Sequence, residues 1–251
     1  MDYEHKAKEV GECLQSYRDD ASGWKVCKKS DTELARTTRR DALSPPPRFF
    51  ARNLRRSSSK RHPNDSRLYT NDTVVSWRPS SEFPGNVYKG EGVINGSLEK
   101  VWDCLKPVPK GRRVNWDNNV KKFDLLEQVT EDISICRTVT PSAAMGIISP
   151  RDFVDVILIR QHEDGAISSN ATNVSHQGCP PQSGYVRGFN HPCGCICVPI
   201  SAEPNKTQVY TFFQTDLGGL LPRSVVDSFF PSSMTEFYTN LTKTVKSLKD
   251  V

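Results

Sequence analysis

His191-Pro192-Cys193-Gly194-Cys195-Ile196-Cys197 is the stretch whose residue types and spacing come nearest to chemistry. On a strand, alternation puts its three sulfurs on one face. That arrangement offers a metal site or a Cys–His nucleophile. Structural zinc sites use Cys-x2-Cys pairs on turns with a second pair elsewhere, and no such partner pair occurs here, so no metal ligand is expected. A nucleophile needs partners converging in space, which spacing alone does not supply. GxSxG, HExxH, Walker and GxGxxG signatures are absent. The expectation is therefore buried structural thiols, no catalytic residue, no cofactor and no enzyme. Cys13, Cys27, Cys104, Cys136 and Cys179 bring the cysteine count to eight. The first residues, MDYEHKAKEV, lack the apolar core of a signal peptide, so a cytoplasmic protein with reduced thiols is expected.

Other groups have simpler readings. Arg151-Asp152 is expected as an ion pair fixing the entry to an apolar strand. Arg113, after Gly111-Arg112, reads on its own as a solvent-exposed arginine. Ser134, Cys136, Thr138 and Thr140 alternate with Ile133, Ile135 and Val139, so one strand has a small polar face and an apolar face. The polar row faces either a partly wet internal space or bulk water.

The elements that must position these groups follow from hydropathic period. Pro222 to Lys249 repeats apolar residues at Val226, Phe230, Met234, Phe237, Leu241, Val245 and Leu248, three or four apart, as an amphipathic helix does. Val225, Phe229 and Tyr238 widen the stripe, and Pro231 predicts a bend or a break. Tyr3, Ala7, Val10, Leu14 and Tyr17 predict an N-terminal helix. Ser97 caps a short helix carrying Leu98, Val101, Trp102 and Leu105, and Trp116, Val120 and Phe123 suggest a further helical turn or two. Strands are expected over 24–27, 74–77, 87–94, a hairpin within 125–140, 152–160, 166–174, 185–200 and 208–217. Between them, Pro141 to Ser149 forms a loop holding Met145, Ile147 and Ile148, unusual apolar residues for a loop tip. A run of strands followed by one greasy helix suggests a curved sheet wrapped around that helix.

Residues 31–72 differ from the rest. They contain Pro45-Pro46-Pro47 and Ser57-Ser58-Ser59, and their ten Lys/Arg against five acids equal the whole net charge of +5. The remaining 24 basic and 24 acidic residues cancel, so no nucleic-acid partner is expected. The segment reads as a disordered basic insertion, with a poorly supported helix through Asp31–Leu43. Mean hydropathy is −0.55, and no run reaches the roughly 18 apolar residues of a membrane span.

Four motifs together resemble the START family of lipid-transfer domains: Trp77-Arg78-Pro79, Glu99-Lys100-Val101-Trp102, Ser149-Pro150-Arg151-Asp152-Phe153 and the Val225–Leu241 helix. Longer stretches, such as Gly188-Phe189-Asn190-His191-Pro192-Cys193-Gly194-Cys195 and Val225-Val226-Asp227-Ser228-Phe229-Phe230-Pro231, are similar to a small stand-alone subgroup. The likeness covers residues 1–30 and 73–251. It implies an α+β helix-grip fold, one domain over 1–251 interrupted by 31–72, in which a curved antiparallel sheet and a closing C-terminal helix enclose a lipid tunnel. The loop of Met145, Ile147 and Ile148 would gate it against Val226, Phe229, Phe230, Met234 and Phe237.

Where the family's mitochondrial cholesterol carriers hold a buried acid and arginine, this chain has Thr138 and Ile157. Arg113 matches a position that points into the tunnel, and Ser134, Thr138 and Thr140 would add hydroxyls. An Arg113 without a carboxylate partner favours a ligand that brings its own, hence a bile acid over a neutral sterol. The implied function is non-enzymatic transfer of one sterol or bile-acid-like ligand by a monomer in transient contact with membranes. The rivals are a phospholipid carrier, a membrane- or RNA-associated adaptor acting through 31–72, and a hydrolase using His191 with a nearby cysteine.

Overall fold

A computed structural model describes residues 2–30 and 73–248. The insertion and the helix through 31–43 lie outside the described residues. Helix α1 (Tyr3–Asp19) starts where the Asp2 side chain accepts a hydrogen bond from the His5 amide at 3.0 Å. Next come β1 (Lys25–Ser30), β2 (Thr73–Pro79) and β3 (Asn86–Asn95). Helix α2 (Leu98–Leu105) is capped by Ser97, and α3 (Arg113–Trp116) is a single turn. Strands β4 (Lys122–Gln128), β5 (Ile133–Thr140), β6 (Arg151–Gln161) and β7 (Ile167–Asn173) form a meander. Short β8 (Val186–Arg187) and β9 (Phe189–Asn190) precede β10 (Cys193–Pro199), β11 (Lys206–Phe213) and β12 (Thr215–Asp216). Helix α4 (Arg223–Ser247) closes the chain.

The main sheet runs β1-β2-β3-β11-β10-β7-β6-β5-β4, antiparallel throughout that path, with β8 added parallel to β6. It is curved and open, since β1 and β4 do not pair. Helix α1 covers the outer face: Ala7 packs with Ile133, Ile135, Val154 and Val156, and Val10, Leu14 and Tyr17 pack with Ile196 and Phe212. Helix α4 lies along the inner face, where Phe237, Tyr238, Leu241 and Val245 meet Ile94, Cys197, Val209 and α2. The apolar row of β5 therefore serves the outer helix, which leaves its polar row facing inward.

Two glycines let α4 come close. A Cβ on Gly90 or Gly92 would stand 2.8 or 2.9 Å from the Tyr238 ring. Tyr238 is 1% exposed, and its hydroxyl donates to the Val209 carbonyl at 2.9 Å. Pro231 neither breaks nor ends α4, which continues through it for 25 residues; packing on both sides outweighs one lost hydrogen bond.

Three expectations need correction. Phe123 belongs to β4, because Asp117 ends α3 after one turn. The stretch 185–200 is three strands, broken around Gly188 and at Pro192, so only its last part crosses the sheet. Arg151 and Asp152 do not pair, because neighbours on a strand point to opposite faces. Asp152 instead takes Arg137 at 2.9 Å and Arg187 at 2.9 and 3.0 Å. Burial would raise its pKa, but the two guanidiniums outweigh burial and lower it.

Candidate functional site

Between the inner face of the sheet, α3, the 141–148 loop and α4 lies a cavity of about 540 Å3. Its wall is mostly aromatic and aliphatic, with Phe123, Phe153, Phe213 and Leu217 among its larger side chains. Thr138 and Thr140 contribute from the polar row of β5, and Ile157 from β6. Phe229, Phe230 and Phe237 reach it from α4, and Ile148 from the loop. Ser134 shares the inward row but sits off the wall, 3.5 Å from Cys136 Sγ. Met234 is fully buried with Val75 and Tyr88, and Val226 packs at the edge of the same cluster; neither lines the cavity.

The loop divides its residues. Ala143 and Ile148 exchange backbone hydrogen bonds of 2.8 and 3.1 Å, closing a tight bulb. Ala144, Met145 and Gly146 all adopt positive φ (49°, 55° and 88°), a strained conformation for the first two. Ile148 is 3% exposed and packs with Phe153, Leu217 and Phe230. Met145 is 101% and Ile147 53% exposed, so neither packs on α4 in this conformation. The left-handed turn throws them outward. Arg151 ties the base of the loop to the approach of α4 by donating to the carbonyls of Ser149, Leu217 and Gly218.

Arg113 stands on the cavity wall with its Nε donating to Asp117 Oδ2 at 2.9 Å. Its guanidinium lies 5.7 Å from the centre of the Phe237 ring. About a third of its side chain (31%) stays accessible, and it lines the cavity. Burial opposes its charge, Asp117 outweighs burial, and the pKa is raised. The expectation of a partnerless arginine is thus wrong: the i,i+4 spacing of Arg113 and Asp117 on one helical turn supplies the carboxylate. Asp117 Oδ1 also accepts from the Asn119 amide, and Asn119 Oδ1 accepts from Ser233 Oγ of α4 at 2.7 Å.

Four further residues stand on the wall: Ser169 and Asp155, which spacing did not single out, and Cys193 and Cys195, which were expected only as buried structural thiols. Ser169 Oγ lies 3.3 Å from Cys195 Sγ. Burial pushes the Cys193 thiol well up. Asp155, 4% exposed, lies on the wall between Phe153 and Ile157. Its Oδ2 accepts from Asn190 Nδ2 at 2.8 Å, while Oδ1 is buried without a partner. Burial pushes its pKa up to about 7, against the pull of Asn190, Arg187 and Lys6. An acid set among the apolar residues of Phe153–Ile159 is the signal that could have found it.

The His191 ring stacks on Phe83 with centroids 4.5 Å apart, and Cys195 hydrogen-bonds Ser169 rather than an imidazole. Among the described residues, no group of three or more His, Cys, Asp or Glu is placed to hold a metal ion. None of the described helices is long and apolar enough to cross a membrane.

The START domain family matches residues 56–250. StAR-related lipid transfer protein 5 of Bos taurus is 51% identical over 237 residues, covering 94% of this chain and 92% of that protein. The Homo sapiens protein of the same name is 48% identical over 241 residues, covering 96% and 94%. The solved structure of human StAR-related lipid transfer protein 5 superposes with a TM-score of 0.78 over 97% of this chain and 96% of that one. A curved sheet, a closing helix and a mostly apolar cavity agree with that kinship. The chain belongs to the START domain family: it is a non-enzymatic lipid-binding and lipid-transfer protein.

Proposed function

We propose that the lipid is a single sterol-class amphiphile, a sterol or a bile-acid-like derivative, carried between membranes in the cytoplasm. The observation that carries this reading is the cavity. Its volume of about 540 Å3 is within the ~300–1,000 Å3 range of one compact ligand, and a two-chain phospholipid would crowd it. At roughly 25 cal/mol per Å2, burying a rigid ring skeleton against these aromatic and aliphatic walls supplies several kcal/mol.

The preference between acid and alcohol is finer. Because Asp117 neutralises Arg113, a ligand carboxylate is not required to balance the site. The guanidinium can still donate its terminal N–H groups to a carboxylate or a hydroxyl. The exposed Met145, Ile147 and Leu220 (101%, 53% and 104%) support brief contact with a bilayer surface. Mass spectrometry of lipid extracted from natively purified protein tests the reading. One sterol-class molecule per chain is expected; a phospholipid at that stoichiometry would overturn it.

A further inference from the structure

We propose that Asp155 reads an alcohol on the bound lipid, its Oδ1 accepting the ligand's O–H while Asn190 holds Oδ2. This rests on the sterol-class reading and deepens it. Strand β6 turns Phe153, Asp155 and Ile157 to the inside, so the carboxylate interrupts an apolar wall. The register sets it opposite Cys136 on one side and Asn173 on the other.

Among the described residues no cation bonds it directly. Arg187 is committed to Asp152 at 2.9 and 3.0 Å, and Lys6 Nζ donates to the Asn173 carbonyl at 2.7 Å. The remaining titratable neighbours, Cys136 and Cys193, are thiols whose own pKa values are raised, first by burial and then by the charge of Asp155. Asn190 is itself fixed, since its Oδ1 accepts from Thr215 Oγ1 at 2.8 Å and its carbonyl from Asn173 Nδ2 at 2.6 Å. The Asn190 amide therefore presents its N–H2 to one carboxylate oxygen and leaves the other buried without a partner.

Buried polar atoms almost always have partners. Asp155 Oδ1 has none, is closed to bulk water, and belongs to a residue on the wall of a ligand cavity. The torsion that turns a carboxylate is broad, so a small swing presents Oδ1 to the occupant. The chemistry of that partner is narrow. A ketone or ester offers only an acceptor, and an ionised carboxylate adds like charge. An alcohol brings the donor, and the bond is charge-assisted.

Both neutral sterols and bile acids carry ring hydroxyls, so the test uses both scaffolds. Bind cholestanol and its 3-ketone cholestanone, and separately lithocholic acid and its 3-oxo counterpart, at pH 8, where Asp155 is ionised. On whichever scaffold binds, the alcohol is expected to bind about tenfold or more tighter than the ketone, the scale of one charged hydrogen bond. In Asp155→Asn the open position becomes an N–H donor, and the ratio should fall to about one or reverse. Equal affinities in the wild type, which need no variant to fold, would overturn the assignment while leaving the carrier reading intact. An unchanged ratio in Asp155→Asn would do the same. Failure to bind either scaffold would overturn the sterol-class reading and this inference with it.

Discussion

At the scale of single residues, two ionisable groups on the cavity wall, Asp155 and Arg113, behave in opposite ways. Asp155 is held at a pKa of about 7 in the folded protein against roughly 3.9 in an unfolded chain. Folding therefore takes up a proton between about pH 4 and 7, and by linkage stability falls as pH rises through that window and levels off above it. Asp155→Asn removes this penalty. The variant is expected to unfold at a higher temperature than wild type at pH 8, by as much as about 4 kcal/mol at ~1.4 kcal/mol per pH unit. The advantage should shrink through pH 7 and vanish below about pH 4. A thermal melt series across pH checks both size and sign. Arg113 is the reverse case. Arg113→Ala leaves the buried Asp117 without its cation and should cost about 1–3 kcal/mol, less than the ~3–5 of a fully buried pair because Arg113 keeps a third of its surface open. Adding Asp117→Asn should recover most of that loss in urea titration. Equal destabilisation by the single and double variants would mean that packing on Phe237, not charge, is what Arg113 supplies.

At the scale of elements, α4 is seated by the absence of side chains beneath it. Gly90 and Gly92 face the Tyr238 ring with no room for a methyl group, so Gly92→Ala should destabilise by about 1–3 kcal/mol through overpacking. It should also speed lipid exchange, because the helix is lifted from the sheet at the cavity. Stability at the wild-type level with unchanged transfer would show that α4 is seated elsewhere. The loop between Pro141 and Ser149 is the other moving candidate. Its strained turn at Ala144 and Met145, its single buried anchor Ile148, and the Arg151 brace at its base suit a segment with two positions. A disulfide engineered between this loop and the first half of α4 should stop transfer between liposomes when oxidised and restore it when reduced. Undiminished transfer in the oxidised protein would place lipid entry elsewhere.

At the scale of the whole molecule, Ser30 and Thr73 pair at the adjoining ends of β1 and β2, so 31–72 leaves and re-enters the sheet at one point. Closing a long loop costs little more than closing a short one. Replacing 31–72 with a short Gly-containing turn is therefore expected to move the unfolding midpoint by no more than a few degrees. A drop of ten degrees or more would mean that the segment packs on the sheet. Retention of liposome binding at low salt would separate membrane contact from the positive charge of the segment.

Local pattern sufficed for the order of most elements, for the Ser97 cap, for the long last helix and for the two unlike faces of β5, because each rests on period or capping within a few residues; which face of β5 turns inward came only from the resemblance. Motif resemblance sufficed for the family. The sequence alone could not show that Arg151 and Asp152 part to opposite faces, since each partner lies on another strand or loop. Nor could it show that the stretch from Tyr185 to Pro192 turns at Gly188, where a Cβ would stand 2.3 Å from the Phe153 ring. No spacing or motif singled out Asp155; only the closing of β7, β9 and β10 around it took one oxygen out of water and left it unpartnered. Met145 and Ile147 were expected to pack as a gate against the last helix, and in this conformation the left-handed turn leaves both exposed. Period and capping are local and can be read along the chain, whereas the partner of a buried charge is set by which distant strands the fold brings together.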